Sequence, residues 1–169
     1  MPKVSDEQVS RWFTTSFRVR YQESDQMGVV YHANYLNWFE IGRTEMIRQL
    51  GFTYRGMEEE GVLLPLVDLD IQYKSPARYD DLVTVFTRMT VFSPLRIHYE
   101  YEVRRLNDED RGLLDTVGQQ EEGELPGDKL VIGATRHVWV NRDWKPARLD
   151  KNVPKLYDAL RGSLLGGKE

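Results

Sequence analysis

A single helix-length periodic stretch stands among five runs of alternating polarity, and that ratio narrows the folds open to the chain more than any other feature. From Asn34, the segment YLNWFEIGRTEMIRQLG places Leu36, Phe39, Arg43, Met46 and Leu50 at three- and four-residue spacings, the repeat of a helix with one face turned inward. Asn34 is suited to cap its start, and Gly51 to the left-handed position after its last turn. Gly42 costs about 1 kcal/mol of helix propensity against alanine, which a close approach of the helix to a sheet would offset. The remaining runs have period two. FRVRYQ (Phe17 to Gln22) alternates before the helix; after it come Val67 to Lys74, Val83 to Val91, Ile97 to Arg104, and a more completely apolar run, Lys129 to Asn141. Pro76 and Ser93-Pro94 place turns between them. Because helices do not alternate with the strands, an antiparallel sheet is favoured over a parallel one with crossover helices. The pattern predicts an α+β fold: a five-stranded antiparallel sheet wrapped around one long central helix.

With 169 residues and 40% hydrophobic content, the chain is expected to form one domain over 1–169 with a sizeable core. Asn107 to Asp128 interrupts the strand order with eight acidic residues and one basic. It is read as a mobile, solvated hairpin connection whose ends lie close enough for its flanking strands to pair. A short helix is expected over 153–161, stopped by Gly162, with the final GGKE fraying. There is no cysteine, which excludes disulfides, thiolate ligands and cysteine nucleophiles and fits a reducing compartment. The start, MPKVSDEQVSRW, lacks the apolar core of a signal peptide, and no run approaches the ~18 apolar residues of a membrane span; a cytoplasmic location is the expectation. The net charge of -4 gives no support for a nucleic-acid partner, although a local basic patch remains able to hold a phosphorylated small molecule.

The segment SDQMGVVYHANY, Ser24 to Tyr35, sets acids, a glycine and a histidine directly before the helix. A carboxylate there can be held by free backbone N–H groups, or those groups can stabilise an oxygen anion developing on a substrate. Asp25, with Glu23 beside it, therefore outlines a hydrolytic site in which Asp25 attacks directly or activates water while a peptide N–H polarises a carbonyl. An ordinary acidic turn accounts for the same letters.

Three segments together, RYQESDQMGVVYHANYLNWFEIGR, IQYKSPARYDD and VWVNRDWKPARLDKNVP, resemble the 4-hydroxybenzoyl-CoA thioesterase family of the hotdog fold, particularly its YbgC-like acyl-CoA thioesterases. The resemblance runs from about Phe17 to Pro154 apart from the acidic insertion. It implies hydrolysis of an acyl-CoA thioester to a carboxylic acid and free coenzyme A, with no cofactor beyond the substrate and no metal. It makes Asp25 the nucleophile or general base. It gives the His32 backbone N–H the task of polarising the thioester carbonyl, with the imidazole available for orientation or proton transfer. Glu23 stands where the family often has aspartate, and with Gly28 it would support the turn. Tyr31 and Tyr35 bracket the proposed catalytic turn and are the candidates to line an acyl channel, although an aromatic stripe of this kind is more often core or subunit packing; in the family reading Glu40 stands at the channel entrance, unless it simply pairs with Arg43. Lys74, Arg78 and Arg96 are the candidates for the nucleotide phosphates, and solvated edge charges would explain them equally. His98 and His137 lie on strands and are expected to be structural or surface residues. The family also implies a homodimer or homotetramer, with two chains completing each site.

Two other activities fit the same scaffold. A hydroxyacyl-thioester dehydratase would retain the thioester and create a double bond. A noncatalytic acyl-CoA-binding module would keep the channel and make Asp25 dispensable.

Overall fold

The computed structural model describes residues 9–114 and 124–165. Strand β1 (Phe13–Arg18) precedes the long helix α1 (Asn34–Gln49) and a short helix α2 (Tyr54–Glu59). Strands β2 (Leu66–Tyr73), β3 (Leu82–Phe92) and β4 (Arg96–Arg105) follow, then a one-turn helix α3 (Asp108–Arg111), strand β5 (Asp128–Val138) and helices α4 (Leu149–Asn152) and α5 (Pro154–Gly162). All five strands form one antiparallel sheet in the order β1-β3-β4-β5-β2. The sheet curls around α1 as the hotdog arrangement requires.

The close approach anticipated at Gly42 is present. A Cβ there would run into the Thr87 hydroxyl and lie 2.8 Å from a Val85 methyl. Phe39 stacks on Tyr101 with ring centroids 4.3 Å apart, over Gly133, where any side chain would strike the Phe39 ring. The buried face of α1 is Tyr35, Trp38, Phe39, Gly42, Met46 and Ile47. This differs from the stripe read through Leu36, Arg43 and Leu50. Leu36 is exposed, because the sheet meets the helix on a face centred between Trp38, Gly42 and Met46.

Two other local readings are corrected. The first strand lies four residues earlier than FRVRYQ: Phe13 to Arg18 pair with Thr87 to Leu82, and the chain then leaves the sheet for a 3-10 turn at Tyr21–Glu23. Val19 is buried, which sustains an apparent alternation past the strand's end. Asn34 does not cap α1; it lies inside the helix, follows Ala33 at the cap position, and its side-chain amide donates to the Glu23 carbonyl at 2.8 Å. Helix α2 has no clear periodic signature in the sequence and begins where the Thr53 hydroxyl accepts the Gly56 N–H.

Gly51 does adopt the left-handed conformation, with φ +94°. The acidic connection joins neighbours as expected, since Arg105 pairs with Asp128 across β4 and β5. Its first turn is helical, while 115–123, like the terminal GGKE, lies outside the described residues. The connection's far end returns to the outer face of the sheet. There Leu125 packs with Trp12 and Phe86, and buried Arg104 holds Glu102 and Glu124 at 2.7 and 2.8 Å.

Candidate active site

Glu23 anchors the turn that precedes α1. Its buried carboxylate accepts the Arg20 N–H at 2.8 Å on one oxygen and the Trp38 indole N–H at 2.7 Å on the other. Its backbone carbonyl accepts the Tyr31 N–H at 2.9 Å and the Asn34 side-chain amide at 2.8 Å. Four hydrogen bonds thus join one residue to the turn before it, the loop after it and the first two turns of the helix. The longer side chain of glutamate has a use here: it reaches the indole of Trp38, buried in the core.

Asp25 opens the next turn. One of its carboxylate oxygens accepts the Met27 N–H at 2.8 Å, its own N–H donates to Val29, and its carbonyl accepts the Gly28 N–H at 3.0 Å. This is an aspartate turn closed by a glycine at φ +80°, a conformation that a side chain at position 28 would strain. The turn is fastened to the loop after β2 by the Val30 N–H, which donates to the Ala77 carbonyl at 2.8 Å, and by an Arg78 contact to the Gly28 carbonyl at 3.4 Å.

Asp25, His32, Tyr35 and Lys74 line one cavity of about 270 Å³, together with Met27, Tyr73 and Pro76. The His32 N–H donates to no group among the described residues, and it lies two residues before the first turn of α1, whose dipole favours negative charge at that end. The Tyr73 hydroxyl donates to the His32 carbonyl at 2.9 Å, which fixes the plane of the peptide that follows His32. Tyr35 is buried and its hydroxyl accepts the Ala77 N–H at 3.0 Å. Burial raises the phenol pKa of Tyr35, and of Tyr73 to the same effect, so both remain neutral hydrogen-bonding groups at neutral pH. Carboxylate, free N–H and an aromatic wall therefore share one small chamber, which can seat a carbonyl between a base and an oxyanion donor.

A model of the Thioesterase-like superfamily matches residues 19–154. The chain belongs to that superfamily. Among its thioesterase-like relatives, YneP of Bacillus subtilis, a candidate acyl-CoA thioesterase, is 38% identical over 143 residues, covering 83% of this chain and 89% of its own. The acyl-CoA thioesterase YbgC of Haemophilus influenzae is 40% identical over 94 residues, 55% of this chain and 69% of its own. Among solved structures, the DHNA-CoA thioesterase of Staphylococcus aureus superposes with a TM-score of 0.72 at 34% identity, covering 88% of this chain and 87% of that one.

The remaining sequence candidates fall elsewhere in this thioesterase-like chain. Tyr31 is exposed and its ring lies tilted against His32, centroids 4.4 Å apart, without lining the cavity. Glu40 lies further along α1 in a second cavity with Arg43 and Tyr54, and Glu40 and Arg43 form no ion pair among the described residues. Arg78 stands beside the Asp25 turn rather than in the cavity wall. Arg96 begins β4 opposite Val138, whereas Lys74 sits at the other end of the sheet beside Leu130, so one chain does not bring them together. Tyr73 was missed as a site residue. Its place as the last member of a period-two run, directly before Lys74, is the signal that marks it.

Proposed function

We propose that this acyl-CoA thioester hydrolase cleaves its substrate with Asp25 as the reacting carboxylate and the His32 backbone N–H as the oxyanion donor. The observation that carries this reading is their meeting in the wall of one 270 Å³ cavity, on a turn that Glu23 ties to the core. The thioester carbonyl accepts the His32 N–H. Asp25 either attacks the carbonyl carbon or removes a proton from an attacking water. The negative charge that develops on the oxygen is met by the free N–H, the C–S bond breaks, and the CoA thiolate leaves and takes up a proton that comes from water; on the direct-attack route the acyl group is left on Asp25 as a mixed anhydride, which a water then hydrolyses to the acid and the free carboxylate.

Lys74, in the cavity wall, and Arg78, beside it, are placed to meet phosphates of a CoA entering past Pro76. Edge strand β2 exposes Leu66, Val67 and Tyr73, which supports pairing with a second copy. The same reading takes a homodimer or homotetramer as the functional unit, places it in the cytoplasm, and assigns it no nucleic-acid partner.

The test is release of free thiol from a panel of aliphatic and aromatic acyl-CoAs by the purified protein. Catalytic thiol release with matching carboxylic acid is expected. A folded, homogeneous protein that cleaves none of them sinks the reading.

A further inference from the structure

Arg43 carries a charge that no carboxylate pairs with among the described residues. It lines a cavity of about 490 Å³ together with Glu40, Thr44, Tyr54 and Leu64. Its guanidinium donates one long hydrogen bond, 3.5 Å, to the Tyr101 hydroxyl, and no carboxylate pairs with it among the described residues. The other arginines of the cavity are engaged locally: Arg48 pairs with Glu45, and Arg55 lies 3.6 Å from Glu59.

Behind Arg43 the wall is polar but neutral. Tyr101 shares a 2.7 Å hydrogen bond with Thr135, which meets His137 at 2.9 Å, while Tyr54 and Tyr99 share one of 3.2 Å. Burial raises all three phenols, and burial, followed by the nearby Arg43 charge, lowers His137 to about 4. Burial works against the charge on Arg43, the surrounding Tyr101, Tyr54 and Tyr99 work for it, and the group stays charged. A partly buried guanidinium with most of its donors unused lines a cavity that also holds apolar Leu64 and Met57, and neither of the cavity's two carboxylates, Glu40 and Glu58, pairs with it among the described residues, so it can still meet an anion on an apolar body.

We propose that this cavity binds the carboxylate of a small organic acid, with the Arg43 guanidinium as its counter-ion. Two sources supply that chemistry. The second cavity lies about 12 Å along α1 from Tyr35, at 1.5 Å per residue, and both cavities border β2, at Tyr73 and just before Leu66. A carboxylate at the far end of the acyl chain is one source, and this arm rests on the acyl-CoA reading above. The free acid released by hydrolysis is the other.

Calorimetric titration of the whole protein with octanoate and benzoate tests the site without reference to turnover. Binding is expected, and Arg43→Gln is expected to weaken it roughly ten-fold or more, the scale of a charged hydrogen bond. Should Arg43→Gln fail to fold, Thr44→Phe, which fills the cavity and leaves the arginine in place, is expected to abolish binding. Kinetics separate the sources. If the substrate supplies the carboxylate, Arg43→Gln lowers kcat/KM for carboxylate-ended acyl-CoAs at some chain length and leaves their methyl-ended counterparts little changed. If the product supplies it, both series are hydrolysed as before and inhibition by free acid is lost. Absence of carboxylate binding to the unmodified protein, or binding unchanged in both variants, overturns the inference while thiol release continues. Loss of all thiol release would instead overturn the hydrolase reading and leave the titration to decide this one.

Discussion

Asp25 and Glu23 are two residues apart and are held in opposite ways. Asp25 has one carboxylate oxygen bound to the Met27 N–H and lines the cavity; Glu23 has both oxygens occupied and faces the core. Substitution should separate their roles. Asp25→Asn keeps size and removes the negative charge, so single-turnover hydrolysis is expected to fall by roughly 10²-fold or more, with assembly and CoA binding retained. Normal hydrolysis by a homogeneous variant, with deamidation excluded, would remove Asp25 from the mechanism. Glu23→Gln places an NH2 against one of two N–H donors that both need an acceptor. A stability loss of about 1.5–3 kcal/mol is expected from that lost charged hydrogen bond, read by denaturant unfolding. Activity should then fall only as far as the Asp25 turn loosens.

At the scale of elements, the contact between α1 and the sheet is closest at Gly42. Propensity alone says that Gly42→Ala should stabilise the helix by about 1 kcal/mol. The added methyl would meet Thr87 and Val85 on β3, and overpacking of that kind costs about 1–3 kcal/mol. The steric cost wins, because both neighbours sit on the most enclosed strand of the sheet. Gly42→Ala is therefore expected to lower the melting temperature, and an unchanged or raised value would mean that helix and sheet separate more readily than their packing implies. Strand β2 behaves differently. It is an edge strand with Val67 62% exposed, and exposed apolar edges tend to be covered by another chain. Val67→Lys should reduce the mass of the assembly measured by light scattering; an unchanged mass would place the subunit contact on another surface.

For the whole molecule, the buried histidine governs part of the acid response. His137 is 1% exposed on β5, and burial first, then Arg43, lowers its pKa from 6.5 to about 4. The unfolded chain binds the proton more readily than the folded one between those values. Stability from His137 is therefore complete above about pH 6.5 and is lost as pH falls toward 4, by up to roughly 3 kcal/mol. His137→Leu should flatten that limb of a stability-against-pH curve relative to the parent protein. Equal slopes in the two proteins would show that the histidine titrates normally. Among the described residues no helix is long and apolar enough to cross a membrane.

Periodicity was enough to establish the architecture. A period of two in β2, β3 and β4, a long apolar run at β5 and a period near 3.6 in α1 are local properties of neighbouring residues, so an antiparallel sheet around one helix followed without coordinates. The Asp25 to Tyr35 segment was equally readable, because Asp25, Gly28 and His32 lie on one continuous stretch of chain. Three-dimensional packing settled matters that depend on residues far apart. Tyr73 meets His32 across 41 positions, and Tyr35 holds the Ala77 N–H across 42, so neither hydrogen bond can be read from neighbouring residues, even though the end of the period-two run marks the position of Tyr73. The inward face of α1 was misread for the same reason: Leu36 and Trp38 are both apolar, and only the position of the sheet buries one and exposes the other. Arg43 is the sharpest case. Its letters fit an ordinary helical pair with Glu40, but the partners that surround its guanidinium come from β4, β5 and α2, brought there by the curl of the sheet.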